Sequence, residues 1–304
     1  MSVPVVSLIV VTYRSARLAS ALLDSVGAGA DEVIVVDSAS PDDDEGLAHL
    51  ADRHPDVTVV RLDCNRGYGA AANAGLAKAT GDVVVVSNAD VTISEEALRS
   101  LCDEVGRQGV VLAAPRFVSQ DGELQRSAHR RDVFVLATID SFCGPVAHVA
   151  RRISHDWHPT YFASVSHSSL LECAHVLGAL MAIDADALRA VGGFDESFFM
   201  YREETDLCRR LRARGGRIVH AGAVEAVHLG GGSTSDPWPH QGNLRNLESH
   251  YHYIDKHHGR AVGLAVRVLG AVCAATWLLA GPALSRPVAK RALRWHVGLP
   301  VGRP

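Results

Sequence analysis

The chain begins as a series of short, wholly apolar runs separated by stretches of helical spacing. Val5–Val11, Val33–Val36, Val57–Leu62 and Val83–Val86 are continuous, rich in β-branched residues, and each gives way to polar positions. Between them Arg17–Val26 sets Leu18, Leu22 and Leu23 on one side, and helices are expected over Asp43–Arg53 and about Ala70–Ala79. Strands without polar alternation, spaced by helices, predict βαβ units and a parallel sheet covered on both faces. Farther along, the pattern predicts a helix over Glu95–Arg107 and strands over Val110–Ala114 and Val176–Ile183. Helices follow over Asp186–Val191 and about Glu204–Arg214, then a strand over Arg217–Ala221 and a segment ending at His228. Gly192-Gly193 and Gly215-Gly216 stop those two helices, as glycine at a helix end commonly does. Residues 126–172 lose the rhythm and are read as an irregular insert over the site, because stretches this long without pattern are usually functional or mobile.

The fold class expected is therefore α/β, a mostly parallel sheet flanked by helices. The chain divides into a first half at 1–125, a second at 126–255 carrying the 126–172 insert, and a tail at 256–304. Ligands of open α/β sheets sit beyond the carboxyl ends of the strands. Thr12, Asp37, Asn65 and Asp90 all fall at such ends.

Composition narrows the class. With 304 residues, 47% hydrophobic and 21% charged, the chain is neither disordered, collagen-like nor a polytopic membrane protein. A net charge of −4 gives no support to nucleic-acid binding, but its distribution is uneven. Residues 256–304 hold eight Lys or Arg and no acid, which leaves the first 255 at −12. Within that basic tail Val268–Leu284 is uncharged for seventeen residues, interrupted by Gly270, Gly281 and Pro282. A bilayer span takes about twenty apolar residues. The run, followed by Arg, Lys and Trp295, therefore reads as peripheral attachment to a membrane surface rather than a span. The six cysteines lie at least thirty residues apart with no C-x-x-C pair, which points to free thiols in a reducing compartment. No basic residue precedes the first apolar run, so it reads as a strand and not a signal peptide. The expected location is cytoplasmic, at the inner face of the cell membrane.

Six segments carry a resemblance. VSLIVVTYRS (6–15), EVIVVDSAS (32–40), NRGYGAAANAG (65–75), GDVVVVSNAD (81–90), VGGFDESFFMYREETDLCRRL (191–211) and AVHLGGGS (226–233) occur in this order. Together they resemble glycosyltransferase family 2, inverting enzymes of the GT-A fold, and its rhamnosyltransferase-like members most. The resemblance implies a nucleoside-diphospho-sugar donor, dTDP-rhamnose favoured and UDP-sugars open; a lipid-linked or cell-envelope saccharide acceptor is expected because the basic tail could hold the chain at a membrane surface. It also implies a divalent cation, Mg²⁺ or Mn²⁺, on the D-x-D-type slot that here reads Asn88-Ala89-Asp90, so that only Asp90 remains as a carboxylate. His228 resembles a histidine that joins the same metal shell.

By the same resemblance Thr12, Tyr13 and Asp37 meet the nucleoside. Asn65, Arg66, Gly67, Asn73, Asn88 and Asp90 complete the donor side. Glycine allows close backbone approach, and a helix N-terminus favours phosphate. Glu203 and Glu204 stand where the family has its acidic pair, with Glu204 as general base; Gly178 and Asp206 fall to the acceptor side. Zinc is discounted, since His155/His158 and His250/His252/His257/His258 match no common spacing with cysteine. Two other readings stay open at this point: a non-catalytic sugar-nucleotide-binding protein, and a nucleotidyltransferase.

Overall fold

The computed structural model describes residues 3–41, 45–129, 170–230, 244–280 and 286–296. Most of the 126–172 insert, with Cys143, His155 and His158, therefore lies outside the described residues, as do Gly231, Gly232 and Ser233 of the last motif.

The apolar runs become the strands they predict. Strands β1 (Val6–Thr12), β2 (Glu32–Asp37), β3 (Thr58–Arg61) and β4 (Val83–Asn88) lie parallel in the order β3-β2-β1-β4. Helices α1 (Ala16–Val26), α2 (Glu45–Arg53) and α3 (Tyr68–Leu76) connect them. Every residue of β1 is buried, as a strand covered on both faces requires. Val6, Leu8 and Val10 share one core with α1 and with α4 (Glu95–Cys102). On the opposite face Ile9 and Val36 receive α3 at Gly75, where a Cβ would lie 2.4 Å from an Ile9 methyl. Helix α4 begins at Ser94, whose hydroxyl accepts from the Ala97 N–H at 3.2 Å. It stops five residues short of the expected Arg107, before Gly106 at φ 85°.

The second half departs from a purely parallel plan. The short β5 (Val91–Thr92) precedes β6 (Val110–Val118), β7 (Ala128–His129), β8 (Leu170–Glu172), β9 (His175–Val176), β10 (Leu180–Asp184) and β11 (Arg217–His228). The sheet continues β4-β10-β6-β11-β5, with β8 also on β11, while β7 and β9 form a separate pair. Strand β10 is antiparallel to both β4 and β6, whereas β11 runs parallel to β6. The single run expected over Val176–Ile183 is thus two strands, parted at Leu177-Gly178-Ala179. There the chain turns from its partner β7 to the main sheet. Helices α5 (Ala185–Ala190) and α6 (Glu203–Ala213) complete this unit, and Asp184 caps α5 by accepting from the Ala187 N–H at 2.7 Å.

The described residues after 243 belong to a second compact unit. It contains α7 (Leu244–His258), α8 (Arg260–Ala280) and α9 (Arg286–His296). Helix α7 continues through the 255/256 boundary expected from charge, so the unit starts earlier than that boundary. Arg267 lies 4.7 Å above the Tyr251 ring and 3.6 Å from Asp255, and the Tyr251 hydroxyl is 3.3 Å from His296 Nδ1. The apolar helix starts at Arg260, ahead of the uncharged run that begins at Val268, and it ends at Ala280. Among the described residues α8 alone is long and apolar enough to cross a membrane, with mean hydropathy 1.9 over Arg260–Leu279. Cys64, Cys102, Cys173 and Cys208 are free. Cys273 is disulfide-bonded, which corrects the expectation of free thiols throughout.

Candidate active site

The carboxyl ends of β1–β3 form one polar rim. Thr12 stands opposite Asp37, and Asp37 opposite Arg61. Buried Asp37 accepts from the Ser40 hydroxyl at 2.5 Å and from the Ser40 N–H at 3.1 Å. Arg61 Nε stands 3.4 Å from Oδ2, and its guanidinium donates to the Ser40 carbonyl at 2.6 Å. The Ser40 hydroxyl also accepts from the Arg14 N–H at 2.8 Å, which ties the loop after β1 to the loop after β2. Arg14 and Ala39 hold φ of 53° and 61°, a left-handed conformation that costs a non-glycine residue and persists where neighbours enforce it. Thr12 pairs with Ser15 at 3.0 Å. Tyr13 is 38% exposed, with the Arg14 guanidinium 5.6 Å from its ring centre. Ser40 and Arg61 were not sequence candidates; the serine three residues after a strand-end aspartate was the available signal.

The loop expected to meet phosphate is used largely by the protein itself. Asn65 Oδ1 accepts from the Gly67 N–H at 3.0 Å. Gly67, at φ 99°, needs its missing side chain because a Cβ there would lie 2.0 Å from the Phe199 carbonyl oxygen. The same oxygen accepts from the Tyr68 N–H at 3.0 Å. The Asn73 amide donates to Phe194 O at 2.9 Å and to Glu196 at 3.0 Å, while its oxygen accepts from the Phe194 N–H at 2.8 Å. Both ends of Asn73 thus latch the 194–196 segment. Arg66 is exposed and 3.2 Å from Glu196.

Helix α6 brings up the acidic pair. Tyr201 and Arg202 before it both hold positive φ, 70° and 71°. Glu203 is buried, and its Oε2 has no hydrogen-bond partner. Burial and then the neighbouring Glu204 carboxylate push its pKa well up. Glu204 is partly exposed and accepts from the Thr205 hydroxyl at 3.2 Å. Its pKa is raised by burial, against the lowering pull of Arg202. Gly178 lets α6 come close, since a Cβ there would lie 3.0 Å from Glu204 Cβ. The Gly178 carbonyl accepts from the Tyr68 hydroxyl at 3.2 Å. Burial, and then the charges of Glu203, Glu204 and Asp90, push the Tyr68 phenol well up. Tyr68, missed in the sequence, therefore lies within electrostatic reach of all three acids. Asp206 is fully buried, and its Oδ2 accepts from Arg210 Nε at 2.6 Å. Arg210 in turn donates to Val191 O and Gly193 O at 2.9 and 2.7 Å. Asp206 thus braces a loop, through Arg210, from a buried position.

The end of β4 supplies the remaining acid. Asn88 N–H donates to Ala179 O at 2.8 Å, beside Gly178. Asp90 is 2% exposed, and its Oδ1 is buried with no hydrogen-bond partner. His228 Nε2 lies 3.6 Å from that oxygen, while its Nδ1 is 2.8 Å from Gln125 Oε1. Burial pushes the His228 pKa down against the raising pull of Asp90. A buried, unpartnered carboxylate oxygen asks for an explanation. Facing an imidazole nitrogen at this separation, it fits a shared divalent cation, whose ligands sit about 2.0–2.1 Å away for Mg²⁺. Among the described residues no three His, Cys, Asp or Glu side chains cluster as a fuller metal site.

Residues 7–192 match the family model for glycosyl transferase family 2. The chain belongs to glycosyltransferase family 2. Like the family, this enzyme transfers a sugar from a nucleotide sugar. It is similar to the N-acetylglucosaminyl-diphospho-decaprenol L-rhamnosyltransferase of Mycobacterium tuberculosis, with 26% identity over 84% of this chain and 86% of the relative. The pre-mycofactocin glycosyltransferase of the same organism is 33% identical over 64% of this chain and 37% of its own. Among solved structures, the mannosyltransferase PcManGT from Pyrobaculum calidifontis, in complex with GDP-Man and Mn²⁺, aligns with TM-score 0.56 and 20% identity. That alignment covers 98% of this chain and 86% of the other. GalNAc-T7 with UDP, GalNAc and Mn²⁺ aligns with TM-score 0.59 and 13% identity over 98% of this chain and 56% of its own. These likenesses establish the GT-A type of fold for this transferase.

Proposed function

We propose that this transferase moves rhamnose, with inversion, from dTDP-rhamnose to a hydroxyl of a lipid-linked saccharide. One observation carries the reading: Glu204 stands partly exposed against Gly178, beside the β4 end where Asp90 and His228 face each other. An acceptor hydroxyl needs a group to take its proton as it attacks the anomeric carbon. Glu203 is held towards its protonated form by burial and by its neighbour, which leaves Glu204 as the carboxylate able to accept a proton. Tyr13, 38% exposed, offers its ring to the base. Asp37 offers the lone pairs left over by Ser40 and Arg61. Asp90 and His228 would hold Mg²⁺ or Mn²⁺, which neutralises charge on the departing diphosphate.

The choice of rhamnose, and of an acceptor carried on a polyprenyl diphosphate, is supported by the mycobacterial relative that spans most of both chains. Membrane attachment is supported by α8, where Leu264, Val268, Val272 and Leu279 are exposed, and by the eight basic residues of the tail. Each basic residue near an anionic surface contributes about 1 kcal/mol. We assign the enzyme to the inner face of the cell membrane on that basis.

The test is a transfer assay on N-acetylglucosaminyl-diphospho-polyprenol with dTDP-rhamnose, UDP-N-acetylglucosamine or GDP-mannose, each with Mn²⁺ or a chelator. Product should form from dTDP-rhamnose with Mn²⁺ and carry the inverted anomer by NMR. Transfer from a UDP- or GDP-sugar instead would replace the donor assignment.

A further inference from the structure

We infer that Gln125 is a positioning residue for cation binding, its amide fixing the His228 tautomer so that a bare Nε2 faces Asp90. The inference rests on the reading that Asp90 and His228 share a divalent cation. Gln125 is held by the backbone before its side chain does anything. Beyond β6 the chain folds back, with Gly122 N–H on Ser119 O at 2.9 Å and Ser119 N–H on Glu123 O at 2.8 Å. Val118 and Leu124 form an antiparallel bridge, and Gln125 N–H donates to Phe117 O at 2.9 Å. Val227, next to His228, pairs with Val118. Gln125 and His228 are thereby set side by side.

The side chains then permit one arrangement of protons. Gln125 Nε2 lies 2.7 Å from the His228 carbonyl oxygen. A carbonyl only accepts, so the amide nitrogen must face it and the amide oxygen must face the ring. That oxygen is 2.8 Å from Nδ1, and since it too only accepts, Nδ1 carries the hydrogen. A neutral imidazole has a single N–H, so Nε2 presents its lone pair. Opposite it, 3.6 Å away, is the buried and unpartnered Asp90 Oδ1. Two lone pairs turned towards each other repel; a cation between them reverses the sign. The Phe117 ring, with its centroid 5.7 Å from that of His228, packs beside the imidazole. Orientation of a ligating histidine by an acceptor on its other nitrogen is worth about 10–100-fold in metal affinity.

The experiment uses the full chain, metal-free, with ¹⁵N-labelled histidine, at pH 8. Long-range ¹H–¹⁵N spectra should show His228 protonated on Nδ1. In Gln125→Leu the Nε2–H form should appear, and Mn²⁺ affinity measured by electron paramagnetic resonance should fall about 10–100-fold. Circular dichroism checks that each variant is folded, so that a changed tautomer in Gln125→Leu reports the lost amide and not unfolding. An Nε2–H tautomer in the wild type, or an unchanged tautomer in folded Gln125→Leu, would overturn the inference. Unchanged Mn²⁺ affinity in His228→Ala, with the wild-type tautomer as expected, would instead overturn the cation reading beneath it.

Discussion

The two ends of this site lie along one sheet but satisfy their polar groups differently. At the nucleoside rim each Asp37 oxygen already has a partner in Ser40, with Arg61 beside the second. At the reaction rim, Asp90 Oδ1 and Glu203 Oε2 are buried with no hydrogen-bond partner. A buried polar atom left unpaired costs about 1–3 kcal/mol, more when charged. One rim is therefore complete before any ligand arrives. The other carries a cost that a ligand can relieve, and fixed groups awaiting charge are what electrostatic preorganisation consists of.

Substitutions can break this contrast, the largest effect first. Glu204→Gln should lower turnover by roughly 10²–10⁴-fold while calorimetry finds donor affinity nearly unchanged; an active Glu204→Gln beside a dead Glu203→Gln would move the base back by one residue. Asp90→Asn should weaken Mn²⁺-dependent binding of dTDP by at least about tenfold, ~1.4 kcal/mol. Without metal it should melt no lower than the wild type, because it removes a buried charge that has no hydrogen-bond partner on Oδ1. Ser40→Ala belongs to the finished rim, and denaturant unfolding should show a loss of about 1–2 kcal/mol, with metal affinity unaltered.

The pH dependence gives a smaller signal. Glu203 keeps its proton in the folded state to a higher pH than in the unfolded chain. Stability from this group is thus full below the ordinary carboxyl pKa and falls as pH rises from about 4.5 towards the folded value. Glu203→Gln should flatten that slope in thermal melts taken across the window. Smallest of all, Arg66→Ala breaks an exposed pair and should shift stability by under about 0.5 kcal/mol; a large change would mean that Arg66 has a role its exposure does not indicate.

The contrast also explains what could be read from the amino-acid order. Continuous β-branched runs announce buried strands, so β1 to β4 and their helices were legible within a few residues. Strand order was not: nothing local to Leu180–Asp184 says that it enters antiparallel between β4 and β6. Motif residues at strand ends were found because the ends themselves could be located. Asn73 and Asp206 also sit in motifs, yet their partners are Phe194 and Glu196 for one and Arg210 for the other. A motif marks what must not change without saying whether a ligand or the chain itself is the reason. Tyr68 and Gln125 meet partners supplied by other segments, and only tertiary contacts disclose them.

The placement of β10 has a consequence for how the protein is made. When β6 leaves the ribosome, the chain holds the ribbon β3-β2-β1-β4 and a separate β6, and these two pieces have no mutual pairing. Leu180–Asp184 must join them, so the backbone edge of Val83–Val86 stays open throughout the synthesis of everything between. An open, β-branched edge is a template for pairing with other chains. Closure over so long a loop also slows folding. A nascent chain arrested before Leu180 should therefore aggregate more readily than one arrested after Asp184 has paired.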